Sequence, residues 1–146
     1  MSESNKALLH LWCNDGFNKG NVELADKIYD ANVFYHEPSA GEVRGLDALK
    51  QFVRTWLTAF PDAQLKIEHQ VAEGDHVATR WTFTGTHRGN FRGMPPTGKS
   101  ITMGAMYFYR IAHNKVVEIR AIVDLLSLLR QLGAVPPVGQ ASSKQS

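Results

Sequence analysis

Residues 65–83 read LKIEHQVAEGDHVATRWTF, and their alternation decides the fold. Leu65, Ile67, His69 and Val71 alternate with Lys66, Glu68 and Gln70. Val77, Thr79, Trp81 and Phe83 then alternate with His76, Ala78, Arg80 and Thr82. A period of two on both sides of Glu73-Gly74-Asp75 predicts an antiparallel hairpin with one apolar face.

Toward the C-terminus, residues 88–99 hold three Gly and two Pro and predict a loop. A strand over 101–111, rich in Met, Tyr and Phe, turns at His113-Asn114 and returns over 116–123. Leu125, Leu126, Leu128, Leu129 and Leu132 predict a closing helix with Gly133 as its C-terminal stop. Toward the N-terminus the period changes. Leu46, Leu49, Phe52, Val53, Trp56, Leu57 and Phe60 recur at three and four and predict a long amphipathic helix ended by Pro61-Asp62. A short strand over 32–36 precedes it, stopped by Pro38. Before that come a first helix carrying Leu8, Leu11 and Trp12 and a short helix that Asn21 can cap. Helices first and antiparallel strands last predict an α+β fold with the helices on one face of the sheet. Strands of this length curl, which leaves a cavity between helix and sheet where a small ligand sits.

The 146 residues fit one domain, expected over 1–135, with a Pro/Gly/Ser tail over 136–146 expected to be disordered. Sixteen Lys and Arg against fourteen Asp and Glu give +2 without a basic run, which argues against nucleic acid as the partner. The longest apolar stretches fall far short of a membrane span. One cysteine, Cys13, excludes an internal disulfide and a cysteine-rich zinc site. None of the six His forms a helical metal-ligand pair, so no metal is expected, and a reducing cytoplasm is the default location.

Several stretches resemble the SnoaL-like polyketide cyclase or ester cyclase family, in the same order. They are Phe60-Pro61-Asp62-Ala63, Glu73-Gly74-Asp75, residues 80–87 (RWTFTGTH), residues 93–98 (GMPPTG), Tyr109-Arg110-Ile111, Glu118, Asp124 and Gln131-Leu132-Gly133. The resemblance covers residues 30–133. It implies the cone-shaped α+β barrel shared with nuclear transport factor 2 and ketosteroid isomerase. It also implies ring closure of a polyketide by intramolecular aldol chemistry with neither metal nor organic cofactor, and an acid/base aspartate at the position of Asp124.

Asp124 interrupts the apolar run 121–126, where a carboxylate short of water becomes a stronger base; it is equally a favoured cap for the helix at Leu125. Arg120 stands where the resemblance implies an aromatic, usually Trp. It shares a strand face with Ile122 and Asp124, either beside Asp124 as a cation for an enolate oxygen or turned out to the surface. His87 shares parity with Trp81 and Phe83 and is a proton carrier or a histidine bonded to the loop. His36 lines the cavity mouth or satisfies a turn, and His69 is a core or interface histidine. Trp56 and Trp81 are expected at the ligand, with Met106, Tyr107 and Phe108. A two-residue turn at His113-Asn114 sets Tyr107 opposite Arg120, and a three-residue turn sets Phe108 there. Residues 87–99 are a movable cover over the cavity or a loop packed on a neighbouring subunit.

Three functions compete: an acid/base enzyme on an apolar carbonyl compound (cyclase, isomerase or dehydratase), a binder of a small hydrophobic ligand without turnover, and a dimerisation domain. Limonene epoxide hydrolase is similar only in outline. Its strand pairs an Arg with an Asp two residues on, whereas Arg80 here is followed by Trp81 and Thr82. The apolar surplus on strand 103–111 leads us to expect a homodimer or larger assembly.

Overall fold

In the computed structural model, which describes residues 2–135, the chain opens on helix α1 (Ser2–Leu11). It widens into a π-turn over Trp12–Gly16, tightens into a 3-10 turn over Phe17–Lys19 and stops at Gly20, whose φ of 68° is left-handed. Gly16 cannot carry a side chain, because a Cβ would overlap the Trp12 ring. A second 3-10 turn (Val22–Leu24) leads into the short α2 (Ala25–Ile28). The Asn21 side chain makes no cap bond here; its carbonyl accepts from Leu24 N instead (3.2 Å).

Next come β1 (Tyr29–Glu37), β2 (Gly41–Arg44), α3 (Leu46–Ala59), β3 (Gln64–Glu73), β4 (His76–Thr86), β5 (Ser100–Ala112), β6 (Lys115–Val123) and α4 (Leu125–Gln131). The anticipated hairpin is β3–β4, turning at Gly74 with φ 59°. The β5–β6 turn puts both His113 and Asn114 at positive φ (53° and 61°), the geometry of a tight two-residue hairpin. At the end of α4, Gly133 adopts φ 83°, and Ala134 N reaches back to the Leu129 carbonyl (2.8 Å). The tail 136–146 lies outside the described residues.

The sheet order is β2-β1-β6-β5-β4-β3. β1 lies parallel to β6, and β2 pairs antiparallel with β1 at the edge. The sheet is therefore mixed, not wholly antiparallel. It curls around the helices but its edges, β2 and β3, stay unpaired, so it is an open half-cone and not a closed barrel. α1 packs on β3 and β4, α3 on β1 and β2, and α4 on β5.

Two bulges decide which side chains face inward. In β3 the register slips between Ile67 and His69. Leu65 and Ile67 face the helices, but His69 and Val71 then turn outward, and Val71 is 68% exposed. His69 is thus not a core residue: it is exposed and bonds Arg80 (3.1 Å). On β6, Arg110 pairs with Glu118 but Ile111 pairs with Val116, which leaves Val117 as the extra residue. The turn has two residues, yet Phe108 and not Tyr107 lies opposite Arg120, because that bulge adds the missing residue.

Residues 88–99 are strapped down. Arg88 N and Gly89 N donate to the Ala59 carbonyl (3.0 and 3.1 Å), and Phe91 is buried against Trp56 and Phe60. A Cβ on Gly89 would overlap the Thr58 carbonyl oxygen. None of residues 88–99 lines the cavity described next.

Candidate functional site

Between the turns that follow α1, helix α3 and the concave face of the sheet lies a cavity of about 80 Å³. Its wall is aromatic: Trp12 and Phe17 from the first helical segment, Phe52 and Trp56 from α3, Trp81 and Phe83 from β4. Strand alternation brings the polar groups. Tyr29, Tyr35 and Glu37 point in from β1, and Tyr107 and Tyr109 from β5. All four tyrosines of the chain meet here. The space is smaller than the roughly 150 Å³ that admits benzene, so a multi-ring ligand needs the wall to give way. Phe52, Val53 and Trp56 are only part-buried, which makes α3 the wall best able to do so.

The hydroxyls form two groups. Trp81 Nε1 donates to the Tyr109 hydroxyl (2.9 Å), so the Tyr109 proton is free to donate onward. The Tyr35 and Tyr107 hydroxyls contact each other at 3.4 Å. Burial pushes all four phenols up from their ordinary value; Tyr107 adds to the rise at Tyr29, Tyr35 and Tyr109, and Glu37 adds to it at Tyr35 and Tyr107. They stay protonated at neutral pH and act as neutral donors.

Glu37 is 3% exposed and is the one carboxylate lining the cavity. Its oxygens accept from Ser39 N (3.0 Å), Ala40 N (3.1 Å) and the Ser39 hydroxyl, at the turn into β2. Sequence reasoning missed it, although Val33 and Tyr35 set an inward parity that Glu37 shares.

Of the anticipated residues, Trp56, Trp81 and Tyr107 line the cavity. The others do not. Met106 and Phe108 lie on the convex face, 54% and 50% exposed, because Ala105, Tyr107 and Tyr109 take the inward parity. His36 alternates with the inward Tyr35 and Glu37, so it points outward and stacks on Phe34 (6.5 Å). Arg120 is outward for the same reason: Ile119 and Ala121 are buried on either side. It pairs with Glu118 (2.9 Å) and lies over the Phe34 ring (5.5 Å).

Asp124 shares Arg120's parity. It is exposed, so the water-poor surroundings expected for it are absent, and it caps α4 by accepting from Ser127 N (3.1 Å). Its neighbour Val123 is what lines the wall. His87 is fully buried, and its Nδ1 accepts from Thr97 N (3.2 Å), so Nε2 carries the proton and meets no partner among the described residues. It holds the strap 88–99 beside Phe60 rather than lining the cavity. Cys13 packs inside, where burial pushes its thiol up to about 11.

Among the described residues no cluster of His, Cys, Asp or Glu side chains is placed to hold a metal ion. No described helix is long and apolar enough to cross a membrane.

Comparison with known proteins follows the fold. A family model described as SnoaL-like polyketide cyclase matches residues 7–132. The aklanonic acid methyl ester cyclase DnrD of Streptomyces peucetius is 35% identical over 126 residues, covering 82% of this chain and 84% of that protein. AclR of Streptomyces galilaeus, named as a candidate hydroxylase, superposes with a TM-score of 0.84 at 29% identity, covering 100% of this chain and 95% of its own. IdmH of Streptomyces antibioticus, named as a candidate polyketide cyclase, superposes with a TM-score of 0.78 at 28% identity, covering 88% of this chain and 98% of its own.

Proposed function

This chain belongs to the SnoaL-like polyketide cyclase family, and from that membership we propose that it closes a ring of a flat, mostly apolar polyketide by intramolecular aldol addition inside the cavity. The observation that carries the reading is the gathering of four tyrosines, three buried and Tyr107 part-buried, in a wall that is otherwise apolar apart from Glu37. The aromatic faces hold a planar ligand. The hydroxyls meet the carbonyl oxygen as it gains charge, which neutral donors fixed in a dry site do well. A carboxylate moves the proton. Asp124, given that role by resemblance, is exposed next to Val123, which lines the wall.

Aklanonic acid methyl ester, the compound named for the 35% identical relative, is the first substrate to try. Incubation with the purified protein, followed by chromatography and mass spectrometry, should show a new product of unchanged mass, since aldol addition only rearranges bonds. A parent protein that binds the ester without converting it would leave a ligand-binding role. One that neither binds nor converts it would overturn the reading.

We also infer that a second copy of the chain covers the convex face. Met106 pairs across to Ile122, which is 60% exposed, and Phe108 stands next to them. Around this apolar strip lie Arg80, Arg110 and Arg120 with Glu68 and Glu118, charges of both signs that can pair with themselves across a twofold axis.

A further inference from the structure

We propose that the Tyr109 hydroxyl, aimed by the Trp81 indole, is a second carbonyl seat in the cavity, beside the Tyr35–Tyr107 pair. The assignment rests on the cyclase reading above and deepens it. An intramolecular aldol addition needs two carbonyls in one ligand, the one that forms the enolate and the one that is attacked.

The geometry starts from what an indole can do. A ring N–H donates and cannot accept. Trp81 Nε1 lies 2.9 Å from the Tyr109 hydroxyl, so that oxygen is the acceptor and its own proton points elsewhere. No described residue accepts that proton. Both residues are buried and line the cavity, and burial keeps the phenol protonated. A buried donor left without an acceptor is costly, and a ligand oxygen in the cavity supplies what it lacks. The hydrogen bond from Trp81 also polarises the hydroxyl and makes it a better donor.

Strand parity places this seat next to the first. Tyr107 and Tyr109 are successive inward residues of β5, with ring centres 5.7 Å apart. The Trp81 ring stands 6.4 Å from that of Tyr107, and the Tyr35 hydroxyl lies 3.4 Å from the Tyr107 hydroxyl. The two donor groups are thus about one aromatic ring apart. The ligand class that fills both is flat and bears two carbonyl oxygens on opposite sides of one ring.

The competing role is a core tie between β4 and β5 that never meets a ligand. Calorimetric titration with two probes separates the roles. N-methylphthalimide is flat and has two carbonyls across one ring; N-methylisoindolinone has the same frame and one carbonyl. Neither carries an enolisable C–H, so binding is read without turnover. The quantity followed is the ratio of imide to lactam affinity, which cancels changes in cavity size that act on both. Two carbonyls need both seats, whereas one carbonyl can use either. Tyr109→Phe should therefore lower the ratio about fivefold, the worth of one neutral hydrogen bond. Trp81→Phe should lower it by about twofold or more, because the hydroxyl loses its aim. Tyr109→Phe leaves the Trp81 N–H buried without a partner, so folding is followed by circular dichroism. The double variant Trp81→Phe, Tyr109→Phe removes donor and acceptor together and is the test if the single variant does not fold. It should show the same ratio as Tyr109→Phe, since both residues serve one seat.

A core tie would lower the melting temperature and weaken both probes alike; an unchanged ratio in Tyr109→Phe, or in the double variant, overturns the seat. An unchanged ratio in Trp81→Phe overturns the aim given to Trp81. A ratio that falls in Tyr29→Phe but not in Tyr109→Phe overturns the assignment in favour of Tyr29. A parent that binds neither probe overturns it outright. Failure of the cyclase reading looks different: the probes follow the expected pattern, and the parent leaves aklanonic acid methyl ester unconverted. The seat then stands as part of a binding site without turnover.

Discussion

The Tyr35 and Tyr107 hydroxyls lie 3.4 Å apart inside the cavity, so one donates to the other and one proton is left for a ligand. The contact is long for a bond between hydroxyls, whose usual distance is nearer 2.7–2.8 Å. A ligand oxygen that accepts from both is the better partner. Tyr107→Phe should therefore lower kcat for ring closure by about 100-fold or more, the range for one donor to a developing oxyanion. Circular dichroism should be unchanged. A Tyr107→Phe protein as active as the parent would remove the hydroxyl pair from the mechanism.

Alkaline pH offers a second test, with its sign set by burial. The unfolded chain ionises its tyrosines near the ordinary value of 10.0, whereas the folded chain holds all four above it. The folded state thus keeps protons that the unfolded state gives up, so stability is fully present below about pH 10 and falls as pH rises beyond it. Absorbance of tyrosinate should stay flat past pH 10 and then rise together with loss of circular dichroism. A gradual rise near pH 10 with the fold intact would refute it.

Asp124 as a helix cap makes a modest and specific prediction. Asp124→Ala should cost about 1 kcal/mol, and Asp124→Asn only a few tenths, because Asn still accepts from Ser127 N. Thermal melts read this directly. Arg120→Trp should alter neither the cap nor turnover, since Arg120 belongs to the convex face and pairs there with Glu118. The exposed ion pair it loses is worth at most about 1 kcal/mol.

Sedimentation at micromolar concentration should give the mass of a dimer. Phe108→Glu combined with Ile122→Glu should give a monomer with the same circular dichroism, because both residues are half-exposed or more and touch no core. A parent that sediments as a monomer would contradict the convex-face interface.

The hairpin 65–83, the long helix and the closing helix were legible because each keeps one period over many residues. What escaped depends on contacts between distant segments. The four residues of β2 are too few for a period to show, and nothing local announces that β1 will lie parallel to β6. The site was legible only where parity ran unbroken. Trp56 and Trp81 could be placed inside from their own elements. Phe108 and Met106 could not, because a single extra residue, Val117, sets the register across the sheet. The apolar neighbours of Asp124 in the chain suggest water-poor surroundings, but Ala121 and Val123 turn inward while Asp124 turns away. Glu37 is hidden because the sequence marks a strand only over 32–36, one residue short of the carboxylate in which its inward face finishes.

The parallel pairing of β1 with β6 also governs when the molecule can exist at all during synthesis. Tyr29 is matched to Val116 and Tyr35 to Ile119, so β1 waits for more than half the chain to leave the ribosome before its second neighbour arrives. Until then β1 has β2, α3 and the N-terminal helical segments as neighbours but no strand on its other edge. Contacts this far apart in sequence form late and slowly, and unpaired strands with sticky faces are what chaperones bind. Substitutions that weaken β6, even far from the cavity, should therefore reduce soluble yield in cells more than they reduce the stability of the finished protein.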